Sequence, residues 1–220
     1  AINPAFRLYA NAGYTYRIPT FTDLYYSDST TLGNENLKAE EAITEEIGFR
    51  WTKNRSQISM AVFNRSAQNL IDYIRPSAEG RFEASNIRKV NTHGFEFEAK
   101  TQFILGNNPQ LFTLGYTYLN DDVDQINVDF SRYSINSLRH HLTFNQISNF
   151  NKNLSLTWNY KLGQRPERDA YHVFDASIRY RIKAVELNLS FFNIFDEVYS
   201  ESNLVPLPLS NGTFGLRFAF

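Results

Sequence analysis

The sequence predicts an all-β fold: an antiparallel transmembrane β-barrel to which this chain contributes about ten strands. Three observations lead to this prediction. Apolar and polar residues alternate along most of the chain, the polar face carries many charges, and short connections alternate with long ones. The last ten residues show the alternation best, because Phe214, Leu216 and Phe218 share one parity and therefore one face of a strand. The chain ends on Phe220 of the same face, which lipid would cover.

Composition is compatible with such a barrel and argues against several other classes. The 220 residues carry a formal net charge of -1, which gives no electrostatic reason to expect nucleic acid as a partner. Aromatic residues make up 15% of the chain, as expected for strands with interfacial girdles. Cysteine is absent, so disulfides and thiolate chemistry are excluded. No apolar run approaches the roughly 18 residues that a spanning helix needs.

Ten segments show the alternation and are the predicted strands. They are 5–17, 40–52, 56–69, 90–103, 110–120, 137–149, 153–163, 171–182, 184–194 and 212–220. Their second face is too polar for a protein core, because burying so many charges would carry a prohibitive desolvation cost. Its charged residues are Arg50, Glu96, Glu98, Lys100, Arg179, Arg181, Glu186 and Arg217. A wet or protein-filled lumen accommodates such a face.

The connections between these segments alternate in length. Short turns are expected near 53–55, 104–109, 150–152 and 183, and long loops near 18–39, 70–89, 121–136, 164–170 and 195–211. Short turns on one side and long loops on the other are typical of bacterial outer-membrane barrels, whose long loops lie outside the cell. A soluble sandwich or jelly roll is the alternative. It explains the period of two but neither the loop asymmetry nor the terminal phenylalanine.

Two stretches resemble a known family. The stretch 16–26, YRIPTFTDLYY, followed by 33–41, GNENLKAEE, resembles a pattern in the C-terminal half of TonB-dependent outer-membrane receptors. The stretch 193–199, NIFDEVY, resembles the segment before the last strand of that family, and Phe220 resembles its assembly signal. The family often has a proline where this chain has Ala39, and an arginine near the start of the last strand, where this chain reads 208–213, PLSNGT.

The resemblance implies an architecture and partners. Family members form a barrel of roughly 22 strands around an N-terminal plug, and this chain matches only the C-terminal barrel portion. The implied function is active transport of a scarce nutrient across the bacterial outer membrane, energised by an inner-membrane TonB-type complex through the plug. The implied partners are outer-membrane lipid, the plug and the TonB-type transducer. A surface lipoprotein is a further partner that the resemblance allows. The stretch 20–26 is most similar to cobalamin-type receptors, with ferric-siderophore receptors as the alternative.

The long loops carry the predicted ligand-binding residues. Exposed rings beside polar groups suit a large amphipathic ligand at the barrel mouth, because the rings supply area and the polar groups fix orientation. The predicted residues are Phe21, Asp23, Tyr25, Tyr26, Asn34, Tyr73, Arg132, Tyr133 and Tyr199. The alternative for each ring is a place in the outer girdle or packing between loops.

The lumen wall is predicted to pack against the plug through charge pairs. The residues for this role are Arg50, Glu96, Glu98, Arg179, Arg181 and Arg217. The alternative is a self-contained ten-stranded pore, which 220 residues could close. In that case the first and last strands would pair with each other, whereas unpaired edges would be costly in lipid.

No catalytic constellation is evident, so the chain is not expected to be an enzyme. It has neither a Gly-x-Ser-x-Gly elbow nor a glycine-rich phosphate loop, and His140 and His141 are adjacent on a strand and face opposite sides. No cofactor is expected. The acidic loop with Asp121, Asp122 and Asp124 could supply oxygens to calcium, but a solvated acidic loop is the favoured interpretation.

Overall fold

The computed structural model describes residues 3–75, 79–123, 130–131, 137–166, 168–201 and 205–218. Its strands are β1 (Phe6–Arg17), β2 (Thr31–Leu32), β3 (Glu40–Lys53), β4 (Ser56–Arg75), β5 (Phe82–Leu105), β6 (Asn108–Val123), β7 (Phe130–Ser131), β8 (His140–Asn149), β9 (Leu154–Gln164), β10 (Tyr171–Ile182), β11 (Val185–Phe192) and β12 (Asn211–Phe218). One short helix, α1 (Phe21–Tyr25), precedes β2. The ten long strands confirm the ten predicted segments, and β2 and β7 have two residues each.

The long strands form a single open sheet. Their order is β1-β3-β4-β5-β6-β8-β9-β10-β11-β12, and every neighbouring pair in it is antiparallel. The first and last strands of this order, β1 and β12, are its two edges. Among the described residues β1 and β12 do not pair with each other, so the sheet does not close into a ten-stranded barrel and the closed-pore alternative is wrong for this structure. Both edges offer unpaired backbone groups to further strands.

Register places the apolar residues of successive strands in one continuous row. The row across seven strands is Leu8, Phe49, Met60, Phe97, Tyr116, Leu142 and Leu162. On this face Leu8, Ile47 and Phe214 are 54%, 59% and 65% exposed. Exposure of so many large apolar side chains suits a lipid-facing surface. No helix among the described residues is long and apolar enough to span a membrane.

All four predicted short turns are confirmed, and they lie on one side of the sheet. Three are two-residue connections, after Lys53, Leu105 and Ile182. The fourth, at 150–153, is held by Asn151, whose side-chain oxygen accepts from the backbone N–H groups of Asn153 and Leu154 at 2.8 and 2.9 Å. Short asparagine side chains commonly stabilise turns in this way.

The expectation of a loop at 70–89 is wrong over most of its length. Strand β4 continues to Arg75 and β5 begins at Phe82, so the two strands extend as a hairpin on the side of the long connections. Their pairing shifts register around Leu70, next to Asn69, whose φ is +56°. Such a bulge breaks the period-two pattern that identifies a strand from sequence, which explains the error. The prediction also missed α1.

Candidate functional site

The connection between β1 and β3, residues 18–39, folds onto the extended part of the β4–β5 hairpin. Strand β2 pairs in parallel with the start of β5, with Thr31 opposite Phe82. A small hydrophobic cluster lies beneath it, formed by Ile71, Tyr73, Ala84, Leu37 and Phe82. Asn86 of β5 binds the C-terminal end of the 18–39 connection, because its side chain accepts from the N–H of Lys38 and donates to the carbonyl of Lys38. We call residues 18–39 with this hairpin the extracellular lobe, because the sequence predicts that the long connections lie outside the cell.

Helix α1 begins with a capping box that uses Asp23. The Thr20 hydroxyl accepts from the Asp23 N–H at 3.1 Å, and the Asp23 carboxylate accepts from the Thr20 N–H at 2.9 Å. The same carboxylate accepts from the hydroxyl of Tyr73 at 3.0 Å and from Arg17 at 3.4 Å. Burial raises the pKa of Asp23, but the hydrogen bonds from Thr20 and Tyr73 and the charge of Arg17 outweigh it, so the pKa lies below its ordinary value.

Glu40, the first residue of β3, is bonded to both β1 and β4. Its two carboxylate oxygens accept from Arg17 Nη2 and Nε at 2.6 and 2.7 Å, which is a bidentate pair between β1 and β3. Oε1 also accepts from the backbone N–H of Ile71 at 2.9 Å, on β4. The arginine and the glutamate of the family-like pattern, Arg17 and Glu40, therefore hold the lobe to the end of the sheet that carries the long connections, which we call its top.

The glycine and asparagine of the same pattern also have structural roles. A Cβ on Gly33 would lie 2.7 Å from the backbone of Leu24, so only glycine allows this approach to α1. Asn34 donates from its backbone to the carbonyl of Asp23 at 2.8 Å and from its side chain to that of Ala84 at 3.1 Å. The glycine and the asparagine of the pattern therefore stabilise the lobe through close packing and hydrogen bonds within it.

Asp28 organises the tip of the lobe. Its carboxylate accepts from the backbone N–H groups of Thr30 and Thr31 at 2.7 and 2.6 Å and from the hydroxyl of Tyr26 at 2.9 Å. The bonds from the Thr30 N–H and the Tyr26 hydroxyl are the main causes that lower the pKa of Asp28 to about 2. The tip therefore carries a fixed negative charge at neutral pH.

Two clefts open on either side of Tyr26. The first is lined mainly by hydroxyls and carboxylates: Arg17, Thr20, Thr22, Asp23, Tyr26, Asp28, Thr30, Thr31, Ile71 and Tyr73. The second is lined by Leu24, Tyr25, Tyr26, Leu32, Gly33, Asn34, Glu35 and Asn36. On the outer side of α1, Phe21 is 77% exposed and its ring lies 5.0 Å from that of Tyr25. Rings and hydrogen-bonding groups are therefore available together at this surface.

The structure brings most of the predicted ligand-binding residues into the lobe. Phe21, Tyr25 and Tyr26 present exposed rings, whereas Asp23 and Tyr73 are buried. The threonines of the first cleft were not predicted, although their clustering at 20–31 is visible in the sequence. Arg132 and Tyr133 lie outside the described residues.

Tyr199 lies elsewhere, in the connection between β11 and β12. Its ring is 5.1 Å from that of Tyr171, and Lys161 Nζ lies 4.9 Å from its centroid. The connection is anchored by Asn193, which is 2% exposed and bonds through its side chain to Glu197 and Pro208. The family-like stretch 193–199 is therefore a folded turn that carries Tyr199 towards β9.

The residues predicted to face a plug share the face opposite the apolar row. Arg50, Glu96 and Glu98 line one cleft of this face. Arg179 donates to Ser155 at 3.1 Å, Arg181 pairs with Glu186 at 2.6 Å, and Arg217 is the cross-strand partner of Glu186. Plug contact remains a prediction. Phe220, the predicted assembly signal, lies outside the described residues.

Three rings of this face lie flat against the wall. Each faces a glycine on the neighbouring strand: Tyr9 faces Gly48, Phe63 faces Gly94 and Tyr171 faces Gly163. A Cβ on these glycines would lie 2.6, 2.1 and 2.3 Å from the opposing ring. The absence of a side chain thus lets the rings lie along the sheet, which leaves the adjacent space open.

The acidic segment gives no support for calcium where it is described, and its first residues, Asp121 and Asp122, belong to β6 and not to a loop. Asp121 accepts from the hydroxyl of Thr92 at 2.6 Å and from that of Ser137. Among the described residues, no group of three or more histidine, cysteine, aspartate or glutamate side chains is placed to hold a metal. Asp124 lies outside them.

A family model described as TonB dependent receptor-like, beta-barrel, matches residues 1–194. The chain belongs to the TonB-dependent receptor family. TonB-dependent receptors are bacterial outer-membrane proteins, so the apolar row of this receptor chain faces outer-membrane lipid. The match confirms the family prediction, and it agrees with the antiparallel all-β sheet.

Three comparisons place this TonB-dependent receptor chain among known proteins. It is 28% identical over 204 residues to the vitamin B12 transporter BtuB of Vibrio vulnificus, which covers 88% of the chain and 31% of that protein. It is 29% identical over 125 residues to a hemoglobin and hemoglobin-haptoglobin-binding protein of Haemophilus influenzae, which covers 50% of the chain and 11% of that protein. A crystal structure of a mutant ferric enterobactin receptor of Pseudomonas aeruginosa, with enterobactin bound, superposes with a TM-score of 0.76 at 15% identity, over 100% of the chain and 39% of that receptor. The chain thus spans less than two fifths of the length of each.

Proposed function

We propose that this chain is the C-terminal barrel part of an outer-membrane active-transport receptor for a scarce nutrient, and that the nutrient is cobalamin. The observation that carries the proposal is the pair of clefts around Tyr26 on the extracellular lobe. The similarity to the vitamin B12 transporter, which extends over 88% of the chain, ranks cobalamin first.

The lobe has the chemistry expected of a capture surface for a large amphipathic ligand. The exposed rings of Phe21, Tyr25 and Tyr26 offer flat apolar area at low entropic cost. The threonine hydroxyls and the carboxylate of Asp28 lie within the adjoining cleft and can fix orientation by hydrogen bonds. Because Glu40 accepts from Ile71 of the lobe and Asp23 of the lobe accepts from Arg17 of β1, the lobe is bonded to the sheet and its groups are held before ligand arrives, which lowers the ordering cost of binding.

The remainder of the receptor is proposed from the family and from the open sheet. Two unpaired edges are expected where further strands of the barrel continue on both sides. The polar inner face, with its rings lying flat over glycines, supports a lumen that receives a plug domain. A TonB-type inner-membrane complex then supplies energy through the plug. A surface lipoprotein remains a candidate partner, and the chain has a transport role and not an enzymatic one.

A ferric siderophore is the second candidate ligand. The first cleft is lined mostly by hydroxyls and carboxylates, with few apolar side chains, which suits a compact polar ligand as well as a corrinoid. The fold is also that of the ferric enterobactin receptor, but a likeness at 15% identity extends to the fold alone.

The test is a binding titration with the full-length receptor in detergent. Cyanocobalamin, ferric enterobactin and haemoglobin are titrated against wild type, Tyr26→Ala and Tyr180→Ala. Tyr180 is the matched control, because it is 41% exposed, close to the 45% of Tyr26, but lies on the lipid-facing side of β10. The proposal predicts cobalamin binding that Tyr26→Ala weakens about tenfold and Tyr180→Ala leaves unchanged. Binding of the siderophore or of haemoglobin alone would replace cobalamin as the proposed ligand, and binding of none of the three would contradict both cobalamin and siderophore and favour another nutrient or a plain pore.

A further inference from the structure

A cationic cluster lies at the top of the inner face, away from the extracellular lobe. Lys161 is on β9, Arg165 follows that strand, and Tyr171 begins β10. His141 is on the neighbouring strand β8, where its partner Gly163 is two residues from Lys161, so both side chains share the inner face. The β11–β12 connection brings Tyr199 and Glu201 against this group.

The cluster already holds a carboxylate, that of the chain's own Glu201. Lys161 Nζ donates to Glu201 Oε1 in an ion pair whose side chains are 28% and 45% exposed. The Lys161 ammonium also lies 4.9 Å from the ring centre of Tyr199 and 5.9 Å from that of Tyr171. Both rings stabilise a cation at that position through cation–π attraction.

Arg165 determines where Glu201 lies. Its guanidinium is almost fully buried and donates to the backbone carbonyls of Ser200 at 3.1 Å and Glu201 at 2.5 Å. Arg165 therefore positions the backbone, while the Glu201 side chain, at the exposed end of the cluster, is free to rotate away without disturbing those two bonds. Lys161 can then exchange one anionic oxygen for another.

We propose that Lys161, between the rings of Tyr171 and Tyr199, is an anion-binding subsite of the receptor, and that Glu201 occupies it until a carboxylate or phosphate group of the ligand replaces it. The inference rests on the proposed receptor function and adds the chemistry of the ligand: an anionic group next to a flat or apolar part that packs on the tyrosines. Because exposed ion pairs contribute little, release of Glu201 costs at most about fivefold in affinity. A ligand that binds both Lys161 and the two tyrosine rings gains more binding free energy than the release of Glu201 costs.

The first test does not depend on knowing the nutrient. Modification of Lys161 by an amine-reactive ester is measured by mass spectrometry in the full-length receptor, with Lys53, an exposed lysine at a short turn, as internal reference. Glu201→Gln is expected to raise the Lys161 rate about threefold, since it removes the ion pair and keeps the shape. Citrate or inorganic phosphate should restore protection in Glu201→Gln. Citrate protection alone would assign the site to carboxylates, and phosphate protection alone to phosphates.

The control variant is Glu79→Gln, which removes an exposed carboxylate between β4 and β5, outside the strands and the connection that form the cluster, and should leave the Lys161 rate unchanged. Failure of both anions to protect Lys161 in Glu201→Gln would overturn the subsite, whether or not the receptor binds cobalamin. Conversely, anion protection with no nutrient binding would keep the subsite and discard the proposed function.

The second test uses cyanocobalamin, whose nucleotide arm carries a phosphodiester, and cobinamide, which lacks that group. Glu201→Gln should tighten cyanocobalamin binding several-fold and leave cobinamide unchanged. Lys161→Met should weaken cyanocobalamin binding about tenfold, and Lys161→Arg should retain most of it. The double variant Lys161→Met/Glu201→Gln should bind like Lys161→Met, because Glu201 acts only through Lys161. Equal effects on both ligands would contradict the role of the anionic group.

Discussion

Replacing Glu40 with alanine should open the extracellular lobe while the sheet stays folded. The variant loses a bidentate pair with Arg17 and the acceptor of the Ile71 N–H, which lies in a buried segment. The half-exposed ion pair contributes up to about 1 kcal/mol. An unsatisfied buried N–H costs about 1–3 kcal/mol. Together they lower the free energy of opening by about 1–4 kcal/mol, and even the lower figure is roughly a fivefold change in the opening equilibrium.

Hydrogen exchange with mass spectrometry measures this opening directly. In Glu40→Ala, peptides within 18–39 and 70–86 should exchange at least roughly fivefold faster, while peptides of the short turns keep their wild-type rates. The matched control is Glu41→Ala, because Glu41 is the adjacent residue and its carboxylate accepts from Gln68 at 2.9 Å and from the hydroxyl of Tyr14, which lie on β4 and β1 outside the lobe. If Glu40→Ala and Glu41→Ala exchange equally, Glu40 does not hold the lobe and the argument fails.

Two further predictions concern the wall and the lobe tip. Gly163→Ala should lower the free energy of unfolding by about 1–3 kcal/mol, because the added Cβ would lie 2.3 Å from the Tyr171 ring. The control Gly13→Ala should have little effect, because a Cβ there would have nothing within 4 Å. Equal shifts of the melting temperature in the two variants would contradict the prediction. Lowering the pH should loosen the tip through Asp28: its folded pKa of about 2 lies below the ordinary 3.8, so its contribution is present above that ordinary value and is lost as the pH falls through the folded value. The protection of amides 26–32, measured relative to their intrinsic exchange rate at each pH, should therefore fall below about pH 4 in wild type. In Asp28→Asn this protection should be low at every pH, and a wild-type pH profile in that variant would refute the assignment to Asp28.

The strand pattern was predictable because lipid imposes a strict rule on it. Each membrane-spanning strand must show one apolar face, so parity alone identifies β3 or β12. Above the membrane that rule no longer applies. In the extended part of β4, Asp72 is completely buried and Ile71 and Tyr73 pack against a loop. Side chains on both faces are therefore buried in protein, and the apolar–polar alternation that lipid imposes does not apply to this segment. The strand extension beyond Asn69 was missed for this reason.

The site was predictable in its residues more than in their roles. Thr20 and Asp23 have the spacing of a capping box, so the sequence contained the signal for α1, but the aspartate was interpreted as a ligand group. The Arg17–Glu40 pair joins residues 23 positions apart, and only the register between β1 and β3 brings them together. The same is true of Lys161 and Glu201, which meet across 40 residues.

The most direct test of the central proposal, that the extracellular lobe captures the nutrient, is hydrogen exchange of the full-length receptor with and without saturating cyanocobalamin. The account predicts slower exchange in residues 20–36, around the clefts beside Tyr26, and unchanged exchange at the short turns on the opposite side. Saturated binding with unchanged exchange in 20–36 and protection confined to other loops would show that the lobe is not the capture surface.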